Sequence, residues 1–192
     1  MNAIVRPGNP VVFMKVGVHA REPLEAIIER KLLEIEREGM AFWGYGGNTC
    51  HPTTMIQPFA QTQARAGNQI VLCMQRMQSN HFAEPVRAEQ YSADGTNWHD
   101  IPAGINAVGS RFALVIGDLR EADFDLPLNQ TQVALGPSRG RSGSEYISGR
   151  VDKACLELGD DVRIPQPPDA PVVRIGLTAT LREPYAVFLR NR

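Results

Sequence analysis

The 192-residue chain is short of several things, and each shortage excludes a class. It has three cysteines, Cys50, Cys73 and Cys155, widely spaced and without a CxxC pair. That rules out a dense disulfide framework and reads as reduced thiols in a reducing compartment. No apolar run approaches the roughly 20 residues that span a bilayer, so no membrane partner is expected. Met1–Pro10 carries Arg6 but no apolar leader core, which makes the cytoplasm the expected location. Net charge is nearly absent, with 20 basic and 21 acidic residues. A surface that grips nucleic acid all over is thereby excluded, although a local basic patch is not. Lysine is scarce, 3 against 17 arginines. Arginine makes bidentate contacts with carboxylate and phosphate, so the bias permits anion recognition.

What is present is a globular composition, 43% hydrophobic and 21% charged. It excludes collagen-like, coiled-coil and disordered chains. Residues 1–192 are read as a single domain, long enough for one sizeable core. The acidic, proline-rich stretch 159–171 is read as a connector within it.

Hydrophobic periodicity gives the elements. Val12, Met14, Val16 and Val18 alternate, predicting a half-buried strand over Val11–His19. Leu24, Ile27, Ile28, Leu32 and Ile35 recur at helical spacing, predicting a helix over Glu22–Glu38 with Pro23 in its first turn and Gly39 past its end. Short strands are expected at Met40–Trp43, Gln69–Met77, Arg111–Gly117 and Thr131–Leu135, with a weak helix at Pro58–Ala66. Asp94-Gly95 predicts a hairpin between Pro85–Tyr91 and Asn97–Ile101. Around that turn, Ser92–Trp98 resembles the structural Asp-box turn of sialidase-type proteins, its spacing one residue off. A later helix is expected over Ser144–Leu158, opened by a Ser142/Glu145 capping box and faced by Ile147, Val151, Ala154, Cys155 and Leu158. Val172–Leu181 and Tyr185–Arg190 read as two closing strands, and Glu121, Asp123 and Asp125 as an exposed acidic turn. The expected fold is α+β: a largely antiparallel mixed sheet with one long N-terminal helix and one shorter helix in the C-terminal half.

Two loops carry the candidate chemistry. In the first, Gly136–Gly143 leads into the later helix. A helix start offers free N–H groups and glycine lets a ligand approach. Ser138, Arg139, Arg141, Ser142 and Ser144 add hydroxyl and guanidinium donors. Together they nominate a site for a phosphorylated small molecule or a nucleic-acid backbone; the alternative is a solvated loop. The second loop follows the Met40–Trp43 strand: Gly44, Tyr45, Gly46, Gly47, Asn48, Cys50 and His51. Its glycines and Asn48 are candidate ligand contacts; Tyr45, Cys50 and His51 are candidate catalytic groups for a small transferase or hydrolase. Neighbouring side chains of an extended chain point apart, so a Cys50–His51 dyad has poor geometry, and His19, His81 or His99 are alternative bases. Cys50 could equally be a core thiol and His51 a turn cap.

Phe42–Gly47 resembles the strand-then-loop of γ-glutamyl cyclotransferases over this stretch alone. That likeness would make Glu145 the acid/base; with Gly47-Asn48 in place of Ser-Leu, the family is not assigned. The scattered histidines nominate no metal site, and no cofactor is indicated. The functional expectation is an anion-binding protein. The alternatives are the thiol enzyme or a protein-interaction module using a sheet edge or a helix face.

Overall fold

The computed structural model describes residues 10–46, 50–81, 83–147, 151–158 and 173–192. In chain order the elements are β1 (Val11–His19), α1 (Leu24–Glu38), β2 (Ala41–Gly44), a π-helical turn (Pro52–Ile56), α2 (Gln57–Arg65) and β3 (Val71–His81). There follow β4 (Gln90–Ser92), β5 (His99–Asp100), β6 (Phe112–Ile116), β7 (Arg120–Leu126) and a short 3₁₀ turn at Leu128–Gln130. The last are β8 (Thr131–Val133), α3 (Gly143–Tyr146), β9 (Lys153–Leu158) and β10 (Val173–Arg190).

The strands join one sheet in the order β2-β6-β10-β3-β1-β9-β8, with β4 and β7 also laddered to β10 and β5 to β4. The β1–β3 ladder is parallel; the other ladders among the described residues are antiparallel. The mixed sheet and α+β class follow directly. β10 is the spine. It pairs with β7 and β3 along its first half and with β6 and β4 along its second, with a register shift between Leu181 and Ala186. Two strands expected from sequence are therefore one.

β1 is buried on both sides rather than half-buried. Val12, Met14 and Val16 enter the core beneath α1 and α2, while Val11 and Phe13 enter a second core with Val133, Ile147, Ala154 and Leu156. The cause is position: β1 sits between β3 and β9, and the β7–α3 segment closes its far face.

The helices depart from expectation. α1 has 15 residues, and the weak helix expected at Pro58–Ala66 is present as the 9-residue α2, so the long N-terminal helix is not alone in the first half. The later helix shrinks to the four residues of α3. Lys153–Leu158, whose apolar residues also fit a helical stripe, forms β9 because strand pairing with β1 and β8 buries both of its faces. The acidic turn is also corrected. Glu121, Asp123 and Asp125 stand on β7, their carboxylates paired outward with Arg76 and Arg174, while Ala122, Phe124 and Leu126 pack inward. The 159–171 stretch lies outside the described residues.

α1 buries Leu24, Ile27 and Ile28 but also Lys31 and Glu34, whereas Leu32 and Leu33 are half exposed. Leu32 is thus not on the inward stripe. Buried charges need partners, and these have them. Lys31 donates to Glu34 Oε2 at 2.7 Å and to the Asn106 carbonyl at 2.9 Å. The Asn106 N–H donates back to Glu34 at 3.0 Å, and Arg30 bridges Glu34, Glu22 and the Asn106 carbonyl. The network fastens the loop between β5 and β6 to α1.

Burial pulls Lys31 down to about 8 from 10.5, with Glu34 opposing. Below about pH 8 the folded and unfolded states both hold this proton; between 8 and 10.5 the unfolded state alone holds it. Where the unfolded state binds more protons, stability rises with pH. Denaturant titrations should show the native chain gaining stability over Lys31→Met across that window. Parallel pH profiles for the two would contradict the assignment.

Candidate functional site

β2 ladders with β6 as far as Gly44, and the Tyr45 N–H extends the pairing to the Phe112 carbonyl at 2.9 Å. Gly44 is fixed by packing: a Cβ there would lie 2.6 Å from Ser110 Oγ, which itself contacts His19 Nε2 at 3.2 Å. Gly46 is exposed, with nothing near the place of a side chain. Gly47 and Asn48 lie outside the described residues.

Cys50 has a positive φ of 57°, a conformation that costs a non-glycine residue energy and clusters at functional sites. His51 follows with extended backbone and caps the π-helical turn. Its Nδ1 accepts from the Thr54 N–H at 3.4 Å, the Thr53 hydroxyl is 3.2 Å away, and the ring stands edge-on to Phe112. Met55 and Ile56 both donate to the His51 carbonyl, which widens the turn before α2. His51 Nδ1 is therefore engaged in capping the turn. His19 is held by the Val108 carbonyl and Ser110, and His99 packs beside Tyr91.

The neighbour of Cys50 is Cys155 in the middle of β9, with the two sulfurs 3.0 Å apart. Tyr45 and Lys153 complete the cluster. Tyr45 is fully buried, and the Lys153 ammonium lies 5.4 Å from its ring centroid and 2.9 Å from Asp152 Oδ2. The Cys155 thiol, donating toward Cys50, holds the Cys50 thiol below its ordinary value despite burial, and the Lys153 charge helps. Burial first, then the hydrogen bond to Cys50, keeps Cys155 well above its ordinary value. Burial also raises the Tyr45 phenol. Its hydroxyl is near enough to Cys50 for each to affect the other's ionisation, yet it meets no partner at hydrogen-bond distance and angle.

The arginine-bearing loop is a tight return from β8. Gly140 donates to the Val133 carbonyl and Val133 to the Arg141 carbonyl, while Gly136 and Gly140 take positive φ of 80° and 83°. Ser142 is buried, its hydroxyl 2.7 Å from that of Ser144, and it makes no side-chain cap bond. One helical turn aligns too few peptide dipoles to form an anion-binding N-terminus, so that part of the expected site is withdrawn. Ser138 and Ser144 are half-buried; Arg139 and Arg141 are exposed. Neither arginine has a carboxylate partner among the described residues, and Arg141 lies 6.0 Å over the Tyr146 ring.

The two loops do adjoin. A Cβ on Gly136 would come within 2.7 Å of Met55 Cε, and the Ala134 N–H donates to the Cys155 carbonyl at 2.9 Å. Tyr146 senses both sides: burial raises its phenol, Cys50 adds to that and Arg141 opposes it. Cys155 and Lys153 are the members that sequence reasoning missed. Their signal was a period-two alternation in which Lys153 and Cys155 share one face and Ala154 and Leu156 the other. Among the described residues, no group of three His, Cys, Asp or Glu side chains is placed to hold a metal ion, and no helix is long and apolar enough to cross a membrane.

An unpartnered buried hydroxyl costs about 1–3 kcal/mol. Tyr45→Phe should therefore fold with unchanged or greater stability in denaturant unfolding. A loss above about 1 kcal/mol would mean that the hydroxyl has a partner.

Comparison with protein-family models, with curated proteins and with solved structures found no match to this chain.

Proposed function

We propose that the protein binds a phosphorylated ligand, a nucleotide or a nucleic-acid backbone, at the arginine-bearing loop beside the Tyr45–His51 segment. The observation that carries this reading is the pair of uncompensated guanidiniums. Arg139 and Arg141 hold no carboxylate among the described residues, as is also true of Arg37, Arg65, Arg87, Arg111, Arg182 and Arg190; what sets the pair apart is that both are exposed, two residues apart, on one turn that carries Gly136 and Gly140. An anion reached by both guanidiniums would accept charge-assisted bonds from each. Gly140 has open space where a side chain would stand, which leaves the backbone approachable. Ser138 and the Ser142–Ser144 hydroxyl pair flank the same turn. Exposed Gly46 is the contact that the other loop offers.

A second reading, a small transferase or hydrolase, is favoured by one observation: Cys50 combines a lowered thiol with a positive φ. With His51 Nδ1 engaged in the cap, such an enzyme would work through Cys50, Tyr45 and Lys153. It requires Cys50 to alkylate with iodoacetamide at neutral pH faster than a free cysteine, and slower alkylation rejects it.

The binding reading is tested by fluorescence polarisation with a labelled nucleoside triphosphate and a labelled single-stranded oligonucleotide. Arg139→Ala/Arg141→Ala should weaken binding at least about tenfold, the equivalent of 1.4 kcal/mol, with an unchanged melting temperature. Salt should weaken the oligonucleotide more steeply if the backbone is the ligand. Equal affinity of the native chain and the double variant, or no binding of either probe, rejects the reading.

A further inference from the structure

We propose that Cys50 and Cys155 are a peroxide-responsive dithiol, converted by hydrogen peroxide into an intramolecular disulfide that ties the loop after β2 to the centre of β9. The inference is independent of anion binding. It starts from a placement that a packing role does not need. Two thiols 105 residues apart in sequence, on different elements, have their sulfurs 3.0 Å apart in one core. A disulfide needs about 2.05 Å, so bond formation asks for a movement of roughly one ångström.

The surroundings match the chemistry. Lys153 puts a buried cation beside the pair. The Tyr45 hydroxyl is fully buried, satisfied by no well-formed hydrogen bond, and near enough to Cys50 to favour its thiolate. Cys50 is the less buried of the two, 6% exposed against 1%, and its thiol is the lowered one, which assigns attack to Cys50 and resolution to Cys155. Cys50 is still buried, so the oxidant proposed is a small neutral peroxide rather than a bulky disulfide. Cys73 is the internal control. It lies in the opposite core, is pushed up to about 12 by burial, and has no thiol partner among the described residues.

The steps balance. The Cys50 thiolate attacks one peroxide oxygen, the O–O bond breaks, and the departing hydroxide takes a proton to become water, leaving Cys50 as a sulfenic acid. That proton comes from the surroundings of the pair, where the Tyr45 hydroxyl is a buried donor. The Cys155 sulfur then attacks the Cys50 sulfur, the S–O bond breaks, and the hydroxyl leaves with the Cys155 proton as a second water. Overall, two thiols lose two electrons and two hydrogens, and one peroxide becomes two waters.

The test treats the full-length, reduced protein with stoichiometric hydrogen peroxide and reads intact mass and peptide maps. The expected result is loss of two hydrogens, a Cys50–Cys155 cross-linked peptide, free Cys73, a raised melting temperature, and full reversal by dithiothreitol. Cys155→Ser should stop at a sulfenic acid that dimedone traps on Cys50, and Cys73→Ser should behave as the native chain. Because the native chain alone reports the cross-link, the test survives a variant that fails to fold. Sulfinic acid on Cys50 without a cross-link, a bridge between chains, or oxidation of Cys73 as fast as Cys50 would each overturn the proposal.

Discussion

The antiparallel pairing of β1 with β9 is the constraint on which the rest of this structure turns. Val11 to Met14 lie opposite Leu156 to Lys153, and that register decides which β9 side chains face which core. Cys155 is delivered to the core shared with Tyr45 and Cys50, while Ala154 and Leu156 fill the opposite one. A slip of one residue would exchange the two sets, taking Cys155 away from Cys50 and Lys153 away from the Tyr45 ring. Both faces of β1 are apolar, so either slip would also bury Lys153 and Glu157 where only hydrocarbon waits. The register is thus held by burial as well as by hydrogen bonds.

The polar groups inside the molecule follow a common rule of compensation. Lys31 and Glu34 are sealed beneath α1 only because the backbone of Asn106 supplies a carbonyl to one and an N–H to the other. Cys50 keeps a lowered thiol in a buried place because Cys155 offers its proton. Two atoms among the described residues break the rule: the Asn106 side-chain oxygen, beside the Lys31–Glu34 network, and the Tyr45 hydroxyl, beside a strained cysteine. A residue in the left-handed region and an orphaned hydroxyl in the same few ångströms are the kind of expense a fold tolerates where chemistry needs them.

Much of the framework was legible in the residues. The alternation of β1, the capped periodicity of α1, the Asp94-Gly95 turn and the apolar run of β6 each announced an element in the right place. The failures share a cause. Lys153–Leu158 satisfied a helical stripe as well as a strand alternation, and only its neighbours β1 and β8, distant in sequence, settled the choice. Asp123 and Asp125 disguised β7, because their partner Arg174 comes from β10. Leu32 looked like core until Lys31 and Glu34 took the inward positions. For the site, Tyr45, Cys50 and Arg141 were nominated from local composition. Cys155 was not, because nothing local marks a thiol whose partner lies 105 residues away. His51 was weighed as a base and as a turn cap, and its neighbours Thr53 and Thr54 fix the second role.

The account is tested most directly by proton NMR of the reduced protein, through the nuclear Overhauser contacts of the Cys155 β-protons. The β1–β9 register described here predicts contacts from Cys155 to the Cys50 β-protons and to the Tyr45 ring. Contacts from Cys155 to Val11, Phe13 or Val133 instead would place it in the opposite core and contradict the arrangement on which the thiol site depends.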